Sequence, residues 1–221
     1  MIAVALLAKA PAAGRVKTRL SPPLTPEEAA AVARACLEET IAAFAGDPAL
    51  PLTLFFDGAL DEPLERVLAA RGVPIRPQAS GDLGARLRAA FGVLFDAGAS
   101  GAIAIGSDSP TLPVARLRDA ALALATYDAV LGPAEDGGYY LLGLARPEWR
   151  LLEGIPWSSD AVARVTRERA AAIGATMRLL EPWYDVDDAE TLRRAIADAP
   201  QGGAFRRALG AIGMKLEAPR K

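Results

Sequence analysis

The chain has 221 residues, 52% of them hydrophobic, and 25 basic against 27 acidic side chains give a formal charge of −2. That apolar share supplies a core for one α/β domain over 1–221 and excludes intrinsic disorder, while the balanced charge excludes a general nucleic-acid binder. With no histidine and one cysteine, imidazole bases, Ser-His-Asp or Cys-His nucleophiles and ordinary zinc sites are excluded too. Any metal must be held by carboxylate, backbone and substrate oxygens, which suits Mg²⁺ or Mn²⁺.

Taken in chain order, Ile2–Ala8 reads as a first strand. It meets Lys9 at once, lacks a basic leader and is too short to span a bilayer. With the lone Cys36 this fits a cytoplasmic protein without a membrane span. Thr25 is a good N-cap for a helix over Pro26–Phe44, with Pro26 at its first position and Glu27-Glu28 in the first turn. A strand over Leu52–Phe56, a helix over Leu60–Arg71, a short strand over Val73–Pro77 and a helix over Asp82–Phe95 follow. Ala102–Ile105 is an unbroken apolar run, the signature of a strand buried on both faces of a parallel sheet. A helix over Val114–Ala125 leads to two strands, Ala129–Leu131 and Tyr139–Leu144, flanking a glycine-rich turn. The pattern closes with a helix over Ser158–Ile173, a strand over Ala175–Leu180, a helix over Asp188–Ala197 and, after the Gln201-Gly202-Gly203 break, a terminal helix ending at Met214. This βαβα rhythm predicts a mainly parallel sheet with helices on both faces.

Five segments carry candidate chemistry. Gly106-Ser107-Asp108-Ser109-Pro110 places Asp108 just past a strand's carboxyl end, where open α/β sheets bind ligands, so Asp108 is a metal-ligand candidate. A turn or helix-cap aspartate is the alternative. The first strand feeds a loop from Lys9 to Leu20 that holds Gly14, Arg15, Lys17 and Arg19. Four cations in eleven residues, with a glycine to let backbone approach an oxyanion, make a phosphate cradle. It is neither a Walker A loop nor a dinucleotide fingerprint. Gly81-Asp82 at a helix entry either meets a nucleotide or simply caps the helix. Glu135-Asp136-Gly137-Gly138 is either a plain turn or a substrate contact, with Asp136 the candidate general base. Asp185 and Asp187 share one side of an extended segment, so one of them is a candidate second metal ligand. Asp188 reads as a cap, and Trp157 as core or as a wall of the acceptor pocket.

As an ordered set, Lys9-Ala10-Pro11, Gly14-Arg15-Val16-Lys17-Thr18-Arg19-Leu20, Gly81-Asp82-Leu83-Gly84, Gly106-Ser107-Asp108-Ser109-Pro110, Gly132-Pro133 with Asp136-Gly137-Gly138-Tyr139, Pro156-Trp157-Ser158 and Asp185-Val186-Asp187 resembles the bacterial selenodomain-associated, or arsenosugar-biosynthesis-type, glycosyltransferases. These belong to the GT-A nucleotide-diphospho-sugar transferase superfamily. The resemblance runs from Met1 to about Ala197. It implies a Rossmann-like three-layer α/β/α sandwich that binds a nucleotide over the first half of its sheet, with a divalent metal on the diphosphate and Asp108 as its aspartate. Many GT-A enzymes carry Asp-x-Asp where this chain has Ser107-Asp108-Ser109. The basic loop is more similar to the Gly-x-x-x-Arg-x-x-x-x-Lys loop of sugar-nucleotide pyrophosphorylases and guanylyltransferases. Three functions are therefore carried forward: glycosyl transfer from a nucleotide-sugar to a small-molecule acceptor, nucleotidyl transfer from an NTP to a sugar phosphate or similar acid, and nucleotide binding without turnover.

Overall fold

The computed structural model describes residues 1–200 and 204–217. Its strands are β1 (Ile2–Lys9), β2 (Leu52–Asp57), β3 (Ile75–Pro77), β4 (Gly101–Gly106), β5 (Ala129–Pro133), β6 (Tyr139–Leu144) and β7 (Met177–Leu179). They form a seven-stranded sheet in the order β3-β2-β1-β4-β6-β5-β7, in which only β6 runs antiparallel to its neighbours. The helices are α1 (Pro26–Phe44), α2 (Glu62–Ala70), α3 (Leu83–Asp96), α4 (Val114–Ala123), α5 (Val162–Ala172), α6 (Ala189–Asp198) and α7 (Ala204–Glu217). The expected three-layer α/β architecture is thus the observed one.

Alternation along the central strands builds the two faces. Val4 and Leu6 of β1 and Ile103 and Ile105 of β4 join a cluster with α1 and α4 residues such as Leu37, Ile41 and Leu117. Ala3, Ala5, Ala102 and Ala104 face the other way, against Leu87 and Phe91 of α3. Period-two alternation requires this separation, and the alanines let α3 lie close to the sheet. Each fully buried Leu or Ile contributes roughly 1.5–3 kcal/mol. A third cluster joins α1, α6 and α7 through Val32, Cys36, Leu192, Phe205 and Leu209, with Tyr184 and Val186 between them.

Caps set the helix starts. Thr25 and Glu28 form a reciprocal capping box at α1, and Asp188 does the same with Thr191 at α6, each worth about 1 kcal/mol. Asp61 accepts from Leu64 N–H, so α2 begins at Glu62 and not at Leu60. The helix expected from Ser158 begins only at Val162. Ser158 adopts a left-handed backbone (φ 66°), and Ser159 folds back onto the Pro156 carbonyl. The strand expected over Ala175–Leu180 shortens to Met177–Leu179, and α7 runs past Met214 to Glu217. The Gln201-Gly202-Gly203 break lies outside the described residues.

Two neighbouring strand ends position the site. β1 and β4 are parallel neighbours, with Leu7 opposite Gly106, so the basic loop after β1 and the Asp108 turn after β4 emerge side by side. At this junction the strand order reverses direction, which opens a crevice at the carboxyl edge of the sheet.

Candidate functional site: a cleft at the β1–β4 edge

A cleft of about 400 Å³ opens at that edge and is lined by Lys9, Arg15, Lys17, Asp108, Asp185 and Asp187 together with neighbouring apolar residues. At its centre, Lys17 Nζ contacts Asp108 Oδ1 and lies 3.4 Å from Asp187 Oδ1. The lysine side chain is 5% exposed, against 53% for Asp108 and 40% for Asp187. Burial alone would lower the pKa of this ammonium, but Asp108 foremost, with Cys36 and Asp187, reverses the sign and raises it. Lys17 is therefore a firmly charged cation under two partly exposed carboxylates. Arg19 adds a longer contact of 3.8 Å to Asp187 Oδ2 from a solvated position.

The aspartates meet because an extended segment crosses the strand ends. Trp183 N–H donates to the Pro133 carbonyl, and Val186 N–H donates to the Asp108 carbonyl at 2.8 Å. With Val186 pinned and buried, its neighbours Asp185 and Asp187 are held beside the Asp108 turn. They do not have the same surroundings. Asp187 shares Lys17 with Asp108, whereas Asp185, half-buried in the cleft wall, accepts from the Ser109 hydroxyl. Burial, opposed by that hydrogen bond and reinforced by Asp108, pushes the Asp185 carboxyl up to about 6. Tyr184 braces the segment from below: its hydroxyl meets Thr111 Oγ1 and donates to Asp198, each at 2.8 Å, and Arg194 lies over its ring.

Of the other residues singled out from sequence, Lys9 and Arg15 line the mouth, and Gly14 takes a left-handed φ of 72° within the loop. Asp82 caps α3 through Ala85 N–H at 2.8 Å, with Gly81 preceding it. Asp136 is exposed at the β5–β6 turn, outside the lining of this cleft, with Oδ1 accepting from Gly138 N–H at 2.8 Å. Gly137 has a φ of 89°, and a Cβ there would overlap the Asp160 carbonyl. Its own carbonyl accepts from Ala163 N–H, so the turn docks onto the start of α5. Trp157 packs over Gly84 and edge-on to Tyr139.

Sequence reasoning passed over Gln78 and Arg86, which also line the cleft. The Gln78 amide donates to the carbonyls of both Ala8 and Phe55, at 2.7 and 3.0 Å. Both N–H groups being committed, its oxygen is what it can offer a ligand. Arg86 sits 3.4 Å from Asp57 and donates to the Gly81 carbonyl. Neither residue lies in a charge cluster or a glycine motif. The nearest signal is Arg86 at i+4 from the cap Asp82.

Oxygen-only carboxylates beside a cationic loop are chemically suited to a divalent ion that completes its shell from phosphate oxygens and water. Asp108 and Asp187 already converge on one cation, the Lys17 ammonium. Among the described residues no group of three or more Asp, Glu or Cys side chains gathers as a ready-made metal cage. None of the described helices is long and apolar enough to cross a membrane.

A mainly parallel sheet with a ligand edge at the β1–β4 junction defines a protein of the nucleotide-diphospho-sugar transferase superfamily, a fold class of nucleotide-utilising transferases. Residues 40–159 match the family described as "Uncharacterized protein conserved in bacteria (DUF2064)", and the chain belongs to that family. A similar solved structure is the "putative nucleotide-diphospho-sugar transferase" of Desulfovibrio desulfuricans G20, with 26% identity and a TM-score of 0.86 over 97% of this chain and 96% of that one. The 4-diphosphocytidyl-2C-methyl-D-erythritol synthase of Anaerococcus prevotii DSM 20548 shares the fold, with 12% identity and a TM-score of 0.60 over 89% and 95%. So does the manganese complex of Rv0371C from Mycobacterium tuberculosis H37Rv, with 19% identity and a TM-score of 0.51 over 95% and 98%. A search of curated proteins gave no match.

Proposed function

We propose that this chain is a cytoplasmic, single-domain, metal-dependent glycosyltransferase that takes its sugar from a nucleotide-sugar, with the diphosphate bound over Lys17. The observation that carries the reading is the Lys17–Asp108–Asp187 constellation at the β1–β4 edge. The narrower likeness to the selenodomain-associated glycosyltransferases supports sugar transfer as the reaction. Lys9, Arg15, Lys17 and Arg19 neutralise the phosphates, Gly14 lets the loop backbone close on them, and Gly81-Asp82 flanks the nucleoside side. The Gln78 oxygen faces the base. Asp108 and Asp187 would hold Mg²⁺ or Mn²⁺, with the neighbouring Asp185 bonded to Ser109. When bound, such an ion stabilises negative charge on the departing diphosphate.

The acceptor enters from the β5–β6 side, where Gly137, Gly138 and Trp157 shape the approach. Asp136 takes the proton from the acceptor hydroxyl as the new glycosidic bond forms, and the nucleoside diphosphate leaves with the electron pair of the broken C–O bond. Its second carboxylate oxygen is the one available for this, since the first accepts from Gly138.

The cluster of four cations also favours a second reading, nucleotidyl transfer. There a sugar phosphate or similar acid attacks the α-phosphorus of an NTP and pyrophosphate departs, with the same side chains stabilising the phosphoryl charge. One assay separates the readings. Release of NDP from a nucleotide-sugar supports glycosyl transfer, whereas pyrophosphate release from an NTP plus sugar phosphate replaces it with nucleotidyl transfer. Metal-dependent binding with neither product reduces the protein to a binding module.

A further inference from the structure

We propose that Lys17 is an exchangeable internal counter-ion: it keeps a divalent cation off Asp108 and Asp187 until a nucleotide's phosphates draw the ammonium away, so that metal enters with the nucleotide and not before it. The inference rests on the phosphate-binding reading above and adds an order of events to it.

Three observations carry it. First, the Oδ1 atoms of both carboxylates are turned to one point, and the Lys17 ammonium holds that point. A divalent ion that took those same two oxygens would stand at contact distance from the ammonium, and like-charge repulsion makes the two cations compete for them. Second, Asp185 is committed elsewhere: its Oδ1 accepts from the Ser109 hydroxyl, and among the described residues no group of three acids gathers as a cage. Third, Lys17 is held against its own backbone preference. Its φ and ψ are 48° and 38°, the left-handed region that non-glycine residues seldom occupy. The strained residue is the one whose side chain meets both carboxylates, a place where exchange of those contacts can be coupled to the loop. Lys9 and Arg15 stand at the cleft mouth, where incoming phosphates meet cations first. The flexible four-carbon stem of lysine then allows its charge to follow the phosphate while its root stays in place.

The test uses the full chain and Mn²⁺ alone as the probe, with free ion followed by electron paramagnetic resonance. Nucleotide-free wild-type protein should take up Mn²⁺ only weakly, while Lys17→Met should bind it at least about tenfold more tightly, because the occupying cation no longer reduces the competent fraction. Mn²⁺ should also raise the unfolding temperature of Lys17→Met and leave that of the wild type nearly unchanged. Lys17→Gln, checked for native circular dichroism, serves in the same role should the methionine variant fold poorly. Adding UDP, CDP or GDP should then bring Mn²⁺ uptake to the wild type. Tight Mn²⁺ binding by nucleotide-free wild type overturns the proposal, and so does a folded Lys17 variant that gains nothing. Should no nucleotide bind while the Mn²⁺ contrast between wild type and variant persists, the functional reading falls and the counter-ion role stands.

Discussion

The turn after β4 and the turn between β5 and β6 look alike on paper, since each sets an aspartate among small residues at a strand end. In space they do different work. Asp108 faces a buried ammonium supplied from the far end of the basic loop, whereas Asp136 spends one oxygen on Gly138 N–H and sits on a turn braced against α5. A carboxylate turned to a cation is held in place and remains able to change partners. One turned to its own backbone shapes the chain and has less left to give.

The contrast is most easily broken at its charged pole. Asp108→Asn should lower turnover by about a hundredfold or more, by analogy with the loss of a main electrostatic stabiliser, while far-UV circular dichroism stays native. Retained activity would show that the cleft's centre lies elsewhere. At the other pole, Gly137→Ala should destabilise the fold by about 3 kcal/mol in urea unfolding, because the new methyl meets the Asp160 carbonyl on a left-handed backbone. Asp136→Asn sharpens the comparison further. The amide oxygen still accepts from Gly138, so the unfolding midpoint should not move, yet kcat should fall about a hundredfold through loss of the proton acceptor. A drop in stability with kcat intact would mark Asp136 as a turn residue only.

The smallest expected effect concerns a third carboxylate, Asp128, whose pKa is lowered chiefly by Thr176, through its N–H and hydroxyl, with Arg146 adding to the shift. A depressed folded pKa means that its stabilisation is present above the unfolded value of about 3.9 and is lost as pH falls through the folded value. Asp128→Ala should therefore cost about 1 kcal/mol at pH 7 and progressively less on acidification below about pH 4. A cost independent of pH would contradict the assignment.

The features legible in the sequence were those with local causes. β1, β4, the Thr25 cap and the Asp188 cap each follow from residues a few positions apart. The acidic turn at Asp108 was visible because an apolar run stops at Gly106. What stayed hidden was long-range. Lys17 and Asp187 are separated by 170 positions in the chain and meet through one hydrogen bond, and Asp187 differs from Asp185 through partners remote in sequence, Lys17 for one and Ser109 for the other. Gln78 went unnoticed because its role comes from being placed between two neighbouring strands, which no spacing rule encodes. The late start of α5 had the same origin: a left-handed serine is a property of how the turn docks, and Ser-Ser-Asp reads equally well as a cap.

Cys36 lies sealed on the inner side of α1, and burial, opposed by Lys17, pushes its thiol up to about 12. At neutral pH the thiol form, not the reactive thiolate, therefore dominates. The chain's lone sulfhydryl is thus a built-in seal gauge: alkylating reagents can register it only when the floor under the basic loop lifts, so the pace of labelling clocks breathing of that floor without any engineered probe.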